Sequence, residues 1–299
     1  MRRSTRGSSR SRSSLPSSSA QRGVVPMASP SLVPPSPARR RWRLALALLL
    51  VVVMAALAVA LGARAWLTAP IRIGAVFPLS GDADVVALAG QERLGVRLAA
   101  DFTNADGGIG GRSIALDVHD LPDAAAAPAA VAALRADGVP LIIGAYSSDL
   151  SMAASSAANA AGIVYWEAGA VADQLTGRGL PLVFRVGADG ARLGTNSAQF
   201  TALELAPRLD LSPARVRVAV VAANDAYASS VADAAVAETR ALGLDLTARI
   251  DYDLDLPRWP EVMRALAASR PDVVILASHI PDGVAFVKAL DAAQLKVGA

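Results

Sequence analysis

From residue 71 onward the sequence predicts an α/β fold built on parallel sheets with helices on both faces. Short runs rich in β-branched residues alternate with longer amphipathic stretches. The runs Val218–Val221 and Val273–Leu276 are apolar at every position, as strands buried on both faces are. About 230 residues of this pattern is long for one doubly wound unit and suits two lobes, expected over 70–188 and 189–299.

The elements follow in order. Strands are expected at 71–77, 114–119, 140–144, 163–166, 182–186, 215–221, 244–252 and 272–277, each a short β-branched run closed by a turn residue or a change of period. Helices are expected at roughly 89–105, 124–136, 150–161, 190–208, 227–242, 259–269 and 281–293. In the first, Leu94, Leu98 and Phe102 recur at i+4 with Arg93, Arg97 and Asp101 off that stripe, so the stripe is expected to face a sheet.

Ahead of this region, residues 1–43 hold ten arginines, no lysine and no acidic residue among many Ser and Pro, and are expected to be a disordered cytoplasmic tail. Leu44–Leu61 is an unbroken run of eighteen apolar residues behind Arg39, Arg40, Arg41 and Arg43. The positive-inside rule makes 44–67 a transmembrane anchor or a signal peptide with the remainder extracytoplasmic. Ala63-Arg64-Ala65 offers a cleavage site, and Met27 an alternative start with a compact basic leader. The tail holds ten of the 29 Lys+Arg and none of the 26 Asp+Glu, so the rest of the chain is acidic and no nucleic-acid surface is expected. Without cysteine there is no disulfide, thiolate metal site, cysteine nucleophile or lipidated cysteine. No metal and no cofactor are expected.

In parallel sheets ligands sit beyond the carboxyl ends of the strands. The exit loops are Pro78-Leu79-Ser80-Gly81-Asp82, Gly144-Ala145-Tyr146-Ser147-Ser148-Asp149, Trp166-Glu167-Ala168-Gly169-Ala170-Val171 and Ala223-Asn224-Asp225-Ala226-Tyr227. The Ser147 and Ser148 hydroxyls precede a helix start, where free N–H groups favour a carboxylate; an ordinary N-cap is the alternative. Trp166 and Glu167 either stack on a ligand and pair its amine, or are a core Trp and a solvated Glu.

Taken in order, several segments resemble the leucine/isoleucine/valine-binding family, the type I periplasmic solute-binding proteins of ABC importers. They are the Pro-Leu-Ser-Gly loop with Ser80, Gln91–Gly95 leading into Asn104-Ala105-Asp106-Gly107-Gly108-Ile109, Ile142-Ile143-Gly144 with its serines, and Leu175-Thr176-x-Arg178-Gly179 before Phe184-Arg185. The resemblance runs from Ile71 to the last residue. It implies two hinged lobes clamping a small polar ligand, often an amino acid, and an ABC permease as membrane partner. The family's carboxylate-binding serine falls on Ser148 and its next-loop backbone contact on Gly169. The adjoining threonine falls on Val171, a departure that puts a standard branched-chain pose in doubt, because it removes a hydroxyl. The cleft tyrosine falls on Tyr227, followed by Ala228 in place of the usual glycine, and a later aromatic position falls near His279. The family continues past Leu295-Lys296 into an acidic strand exit and a last hinge crossing, so the second lobe and hinge are expected to be incomplete here.

Other classes fit less well. Gly107-Gly108-Ile109-Gly110-Gly111 has Ser113 where a dinucleotide fingerprint needs its last glycine, and it leads into a strand. Hydrolase chemistry lacks a Gly-x-Ser-x-Gly elbow, and His119 and His279 are the only histidines. A repressor would need a DNA-binding head in place of the apolar segment. The competing expectation is a membrane-anchored extracellular sensor domain.

Overall fold

The computed structural model describes residues 37–299, apart from the side chains of residues 37–40 and of Trp66. Of the tail expected to be unstructured, residues 1–36 lie outside the described residues. Residues 37–43 instead open the helix α1 (Pro37–Thr68), since proline suits a first helical turn and arginine is a good helix former. Its segment Arg41–Ala65, 25 residues, is long and apolar enough to cross a membrane. The chain divides into two compact units after Gly62, and α1 runs through that boundary.

The second unit contains two sheets. The first is five-stranded in the order β2-β1-β3-β4-β5, formed by β1 (Ile71–Phe77), β2 (Ile114–Asp120), β3 (Leu141–Gly144), β4 (Val164–Glu167) and β5 (Val183–Arg185). The second is three-stranded in the order β7-β6-β8, from β6 (Arg217–Ala223), β7 (Asp245–Tyr252) and β8 (Val273–Ala277). Every pairing is parallel. Central β6 is buried from Val218 to Ala223, which is why its sequence does not alternate.

The connecting helices are α2 (Ala83–Ala105), α3 (Ala127–Ala136), α4 (Ser148–Ala160), α6 (Gly190–Phe200), α8 (Ala226–Ala241), α9 (Trp259–Ser269) and α10 (Ile280–Ala292), with two short turns, α5 (Gln174–Gly177) and α7 (Ala206–Arg208). All eight strands form where the sequence places them, their ends shifted by at most two residues. The helix expected from 89 starts at Ala83, because the Asp82 carboxylate accepts the Asp84 and Val85 N–H groups. The helix expected over 190–208 is broken by a π-turn, Thr201–Leu205, ahead of Pro207.

The stripe expected to face the sheet does not. Leu94, Leu98 and Phe102 are exposed, and α2 meets β1 through Ala89 and Val96, which pack with Ala75 and Phe77. Small and β-branched side chains let the helix axis approach the sheet, so the larger ones turn outward. On the first sheet's other core, α3 and α4 bury Val131, Leu134, Leu150, Ala154 and Ala158 with Val76, Ile142 and Tyr165. The second sheet's core joins Val218, Val220, Val221 and Ile275 to Val231, Ala235, Leu266 and Phe286.

Helices α6 and α8 touch at Gly194, where a Cβ would lie 2.1 Å from the Val231 carbonyl oxygen and 2.6 Å from the Ala235 nitrogen. A Cβ at Gly95, in the middle of α2, would meet nothing within 4 Å. Gly194→Ala is therefore expected to destabilise by about 1–3 kcal/mol through overpacking. Gly95→Ala is expected to stabilise by roughly 0.8–1 kcal/mol through helix propensity. Urea unfolding of the pair tests this, and a loss of stability in both would contradict the packing described.

Candidate functional site

Because every strand in both sheets is parallel, their carboxyl ends deliver the exit loops to one edge of each sheet. Two adjoining cavities of about 230 and 500 Å³ lie among these loops and share Leu88, Tyr146, Ser147, Ser148, Tyr227 and His279. The smaller also reaches Gly169 and Val171, and the larger Asp149, Asp225 and Asp282.

The wall from the first sheet is built on the α4 N-terminus. Ser147 is the N-cap, its Oγ accepting the Leu150 N–H at 3.2 Å, so capping is not the work of Ser148. Ser148 is 4% exposed, and its Oγ accepts the buried Ala172 N–H at 3.2 Å. That bond uses an oxygen lone pair and leaves the hydroxyl proton for another acceptor. Tyr146 holds φ at +85°, a conformation that costs a non-glycine residue about 1–3 kcal/mol and concentrates at functional sites.

The next loop is clamped from several sides. The Glu167 carboxylate accepts the Gly169 N–H at 3.0 Å, the Ala170 N–H at 2.8 Å and the Tyr165 hydroxyl at 3.2 Å. Arg185 donates to the Ala172 carbonyl at 2.8 Å, and the Gly190 N–H to the Val171 carbonyl at 2.7 Å. Glu167, 2% exposed, is thus neither a ligand-facing acid nor a solvated one. Strand parity turns Trp166 to the opposite face, half-exposed against Phe184 at 6.1 Å between ring centroids. Ser80 also stands apart from both cavities. Its hydroxyl and N–H donate to Asp120, at 2.5 and 3.2 Å, which ties the first exit loop to the end of β2.

The second sheet supplies the facing wall. Asp225 is the N-cap of α8, accepting the Ala228 N–H at 2.8 Å, and its other oxygen lies 2.5 Å from His279 Nε2. The Asp225 hydrogen bond raises the His279 pKa against the pull of burial. Burial pushes Asp225 up, but the His279 and backbone bonds outweigh it and hold the carboxyl below its ordinary value. Tyr227 tilts over His279 at 5.0 Å between ring centroids. Ser230 on α8 joins the two walls, accepting the Asp173 N–H and donating to Gln174 Oε1, both at 3.0 Å.

The structure brings Tyr146, Ser147, Ser148, Gly169, Val171, Tyr227 and His279 into one cleft; it leaves out Ser80 and Glu167. Sequence reasoning missed Asp149, Asp282 and the clamp residue Arg185. The first two sit in first helical turns at strand exits, the position that had singled out the serines. Arg185 stood out only as part of the Phe184-Arg185 segment of the resemblance, and its carbonyl partner, thirteen residues away, was not legible. Among the described residues Asp117, His119 and Asp137 converge closely enough for a metal, but the Arg72 guanidinium bonds Asp117 and lies 3.6 Å from Asp137, supplying the positive charge itself.

Behind the clamped loop lies Glu92, whose Oε2 a Cβ at Gly169 would approach to 2.1 Å and whose Oε1 is buried without a partner. Burial, reinforced by Glu167, pushes the Glu92 carboxyl up to about 8. The native state therefore keeps a proton that the unfolded chain releases near 4.5, so this stabilising contribution is complete below that pH and is lost as pH rises through about 8. Unfolding free energy is expected to fall over that window, and Glu92→Gln to flatten the fall, as followed by urea titrations at several pH values. An unchanged slope in the variant would assign the pH dependence elsewhere.

Residues 70–298 match the family model described as "Periplasmic binding protein". The Leu/Ile/Val-binding protein homolog 8 of Brucella suis is 32% identical over 242 residues, which are 80% of this chain and 59% of that protein. The chain thus spans about 59% of the length of this curated relative. Among solved structures, an ABC transporter substrate-binding protein from Desulfitobacterium hafniense in complex with Leu aligns with a TM-score of 0.62 and 23% identity, covering 76% of this chain and 64% of that one. The branched-chain amino acid transporter substrate-binding protein LivJ from Streptococcus pneumoniae, in complex with isoleucine, aligns at 0.65 and 20% identity, covering 76% and 62%. At these identities the solved structures speak for the fold, and the family match with its curated relative carries the assignment: the chain belongs to the periplasmic binding protein family.

Proposed function

We propose that this protein is an extracytoplasmic solute-binding protein of an ABC importer, and that it binds an amino acid or related small polar molecule without transforming it. The cleft at Ser148 carries the reading. A buried hydroxyl, oriented by its bond to Ala172 N–H, stands beside the N-terminus of a thirteen-residue helix, where backbone N–H groups and the helix dipole favour a carboxylate. Leucine and isoleucine, held by the two solved relatives, both carry that group. Tyr227 and His279 face it from the second sheet, so a ligand touching both walls stabilises the approach of the proposed lobes, 70–188 and 189–299, by its differential affinity for the closed state. The partner on this reading is an ABC permease.

Ser148→Ala tests the site. Leucine affinity, measured by calorimetry, should weaken by about 1.5–3 kcal/mol, as for a hydrogen bond to a charged group. Stability should also drop by roughly 1–3 kcal/mol, because the Ala172 N–H is left buried and unpaired. Loss of stability with unchanged affinity would make Ser148 a loop anchor only.

The proposed location follows from α1 and the arginines before it. A C-terminal reporter active only outside the cytoplasm should be active on this chain, whereas activity of a cytoplasm-only reporter would overturn the topology. The mass of the exported product separates a retained anchor, which also suits a sensor domain, from cleavage after Ala65.

A further inference from the structure

His279 differs from the other cleft residues in having one ring nitrogen committed and one left over. Asp225, held below its ordinary pKa, is ionised and can only accept, so its 2.5 Å bond to His279 Nε2 requires the ring proton on that nitrogen. In the neutral ring Nδ1 is then a bare acceptor, whereas in the imidazolium it is a donor. Nδ1 bonds no described residue. His279 is the N-cap residue of α10, yet its side chain caps no N–H group, and Nδ1 is not sealed from solvent. The side chain is 29% exposed and lines both cavities, the smaller one together with Ser147 and Ser148.

The charge around this ring is otherwise negative. Asp225 and Tyr227 face it from α8, Asp282 from α10, and Asp149 and Tyr146 share its cavity from the first sheet's side. Asp82, Asp84 and Asp255 line the same larger cavity, and the described lining contains no lysine or arginine. These carboxylates repel an entering anion, so the protonation of one imidazole decides how firmly an anion is held.

We propose that His279 is a proton gate on ligand binding: as the imidazolium it donates from Nδ1 to the carboxylate that Ser148 and the α4 N-terminus hold from the opposite wall, and as the neutral imidazole it releases that group. This adds a regulation to the solute-binding reading and rests on it. Ser148 belongs to the first sheet's wall and His279 to the second's, so a carboxylate shared between them draws the walls together. The Asp225 hydrogen bond raises the His279 pKa above 6.5 against the pull of burial, with Asp282 and Asp149 adding to it. The ring is therefore charged at and below that pH, and the hold on the carboxylate is lost as pH rises through the raised value. A bound carboxylate raises that value further, so binding takes up a proton across the interval.

Calorimetry on the full chain in detergent, with L-leucine as the probe from about pH 5.5 to about 8.5, tests the gate. Affinity should fall about tenfold over this range, the equivalent of one lost charge-assisted hydrogen bond. Comparison of buffers with different ionisation enthalpies should show net proton uptake on binding. His279→Gln, which keeps a donor for Asp225, should bind at the weak, high-pH level throughout and take up no proton. Asp225→Asn, which still caps α8, should move the fall to lower pH, because the carboxylate that favours the imidazolium is gone. Glu92→Gln should keep the fall, which separates it from the titration behind Gly169. A flat wild-type profile, a fall that survives in His279→Gln or is lost in Glu92→Gln, or a midpoint unmoved by Asp225→Asn overturns the gate while leaving the solute-binding reading intact. Failure of leucine to bind the folded chain at every pH overturns both.

Discussion

A parallel strand can be reached only by a crossover, so each strand of a parallel sheet delivers its exit loop to the same edge, and the cleft of this protein follows from that constraint acting on both sheets. Residues separated by more than a hundred positions, from Ser148 to Asp282, become neighbours without any of them being near in sequence. The remaining features adjust what the constraint provides. Asp82, Ser147 and Asp225 cap the helices that leave the exits, and by ending those helices sharply they fix which residues face inward.

The loop after β4 is the piece held most firmly. Its backbone is bonded by Glu167, Ser148 and Arg185, and Gly190 fastens it to the start of α6. This explains why a hydroxyl that caps nothing is so deeply buried. It also explains the close approach of Gly169 to the Glu92 carboxyl, which leaves no room for a side chain. The order of this loop is therefore shared between Ser148 on the cleft side and Glu167 and Arg185 behind it.

Much of this was legible in the sequence, for identifiable reasons. Strands such as β6 and β8 announce themselves because burial on both faces removes polar residues altogether, and the serine and aspartate positions at the exits announce helix starts. What the sequence hid was orientation. The stripe Leu94, Leu98, Phe102 reads as a buried face, yet α2 presents Ala89 and Val96 to the sheet, because close approach favours small groups over large ones. Glu167 reads as a site acid, yet its parity with Tyr165 and the N–H groups of the following loop draw it inward. The acids of the two walls were hidden for a related reason: Asp149 and Asp282 look like ordinary first-turn residues until the strands that precede them are known to deliver their exits to the cleft.

Tyr146 shows what such a site demands of the chain that carries it. A tyrosine at φ +85° is held against its own backbone preference, whereas glycine would adopt the same conformation freely. Replacement by glycine would relax that strain and remove an aromatic wall from the cleft in one step. Selection for robustness and selection for recognition thus pull this position in opposite directions. Stabilisation of the scaffold by design is accordingly better sought far from β3, in places such as the middle of α2, where conformational ease and ligand contact are not in competition.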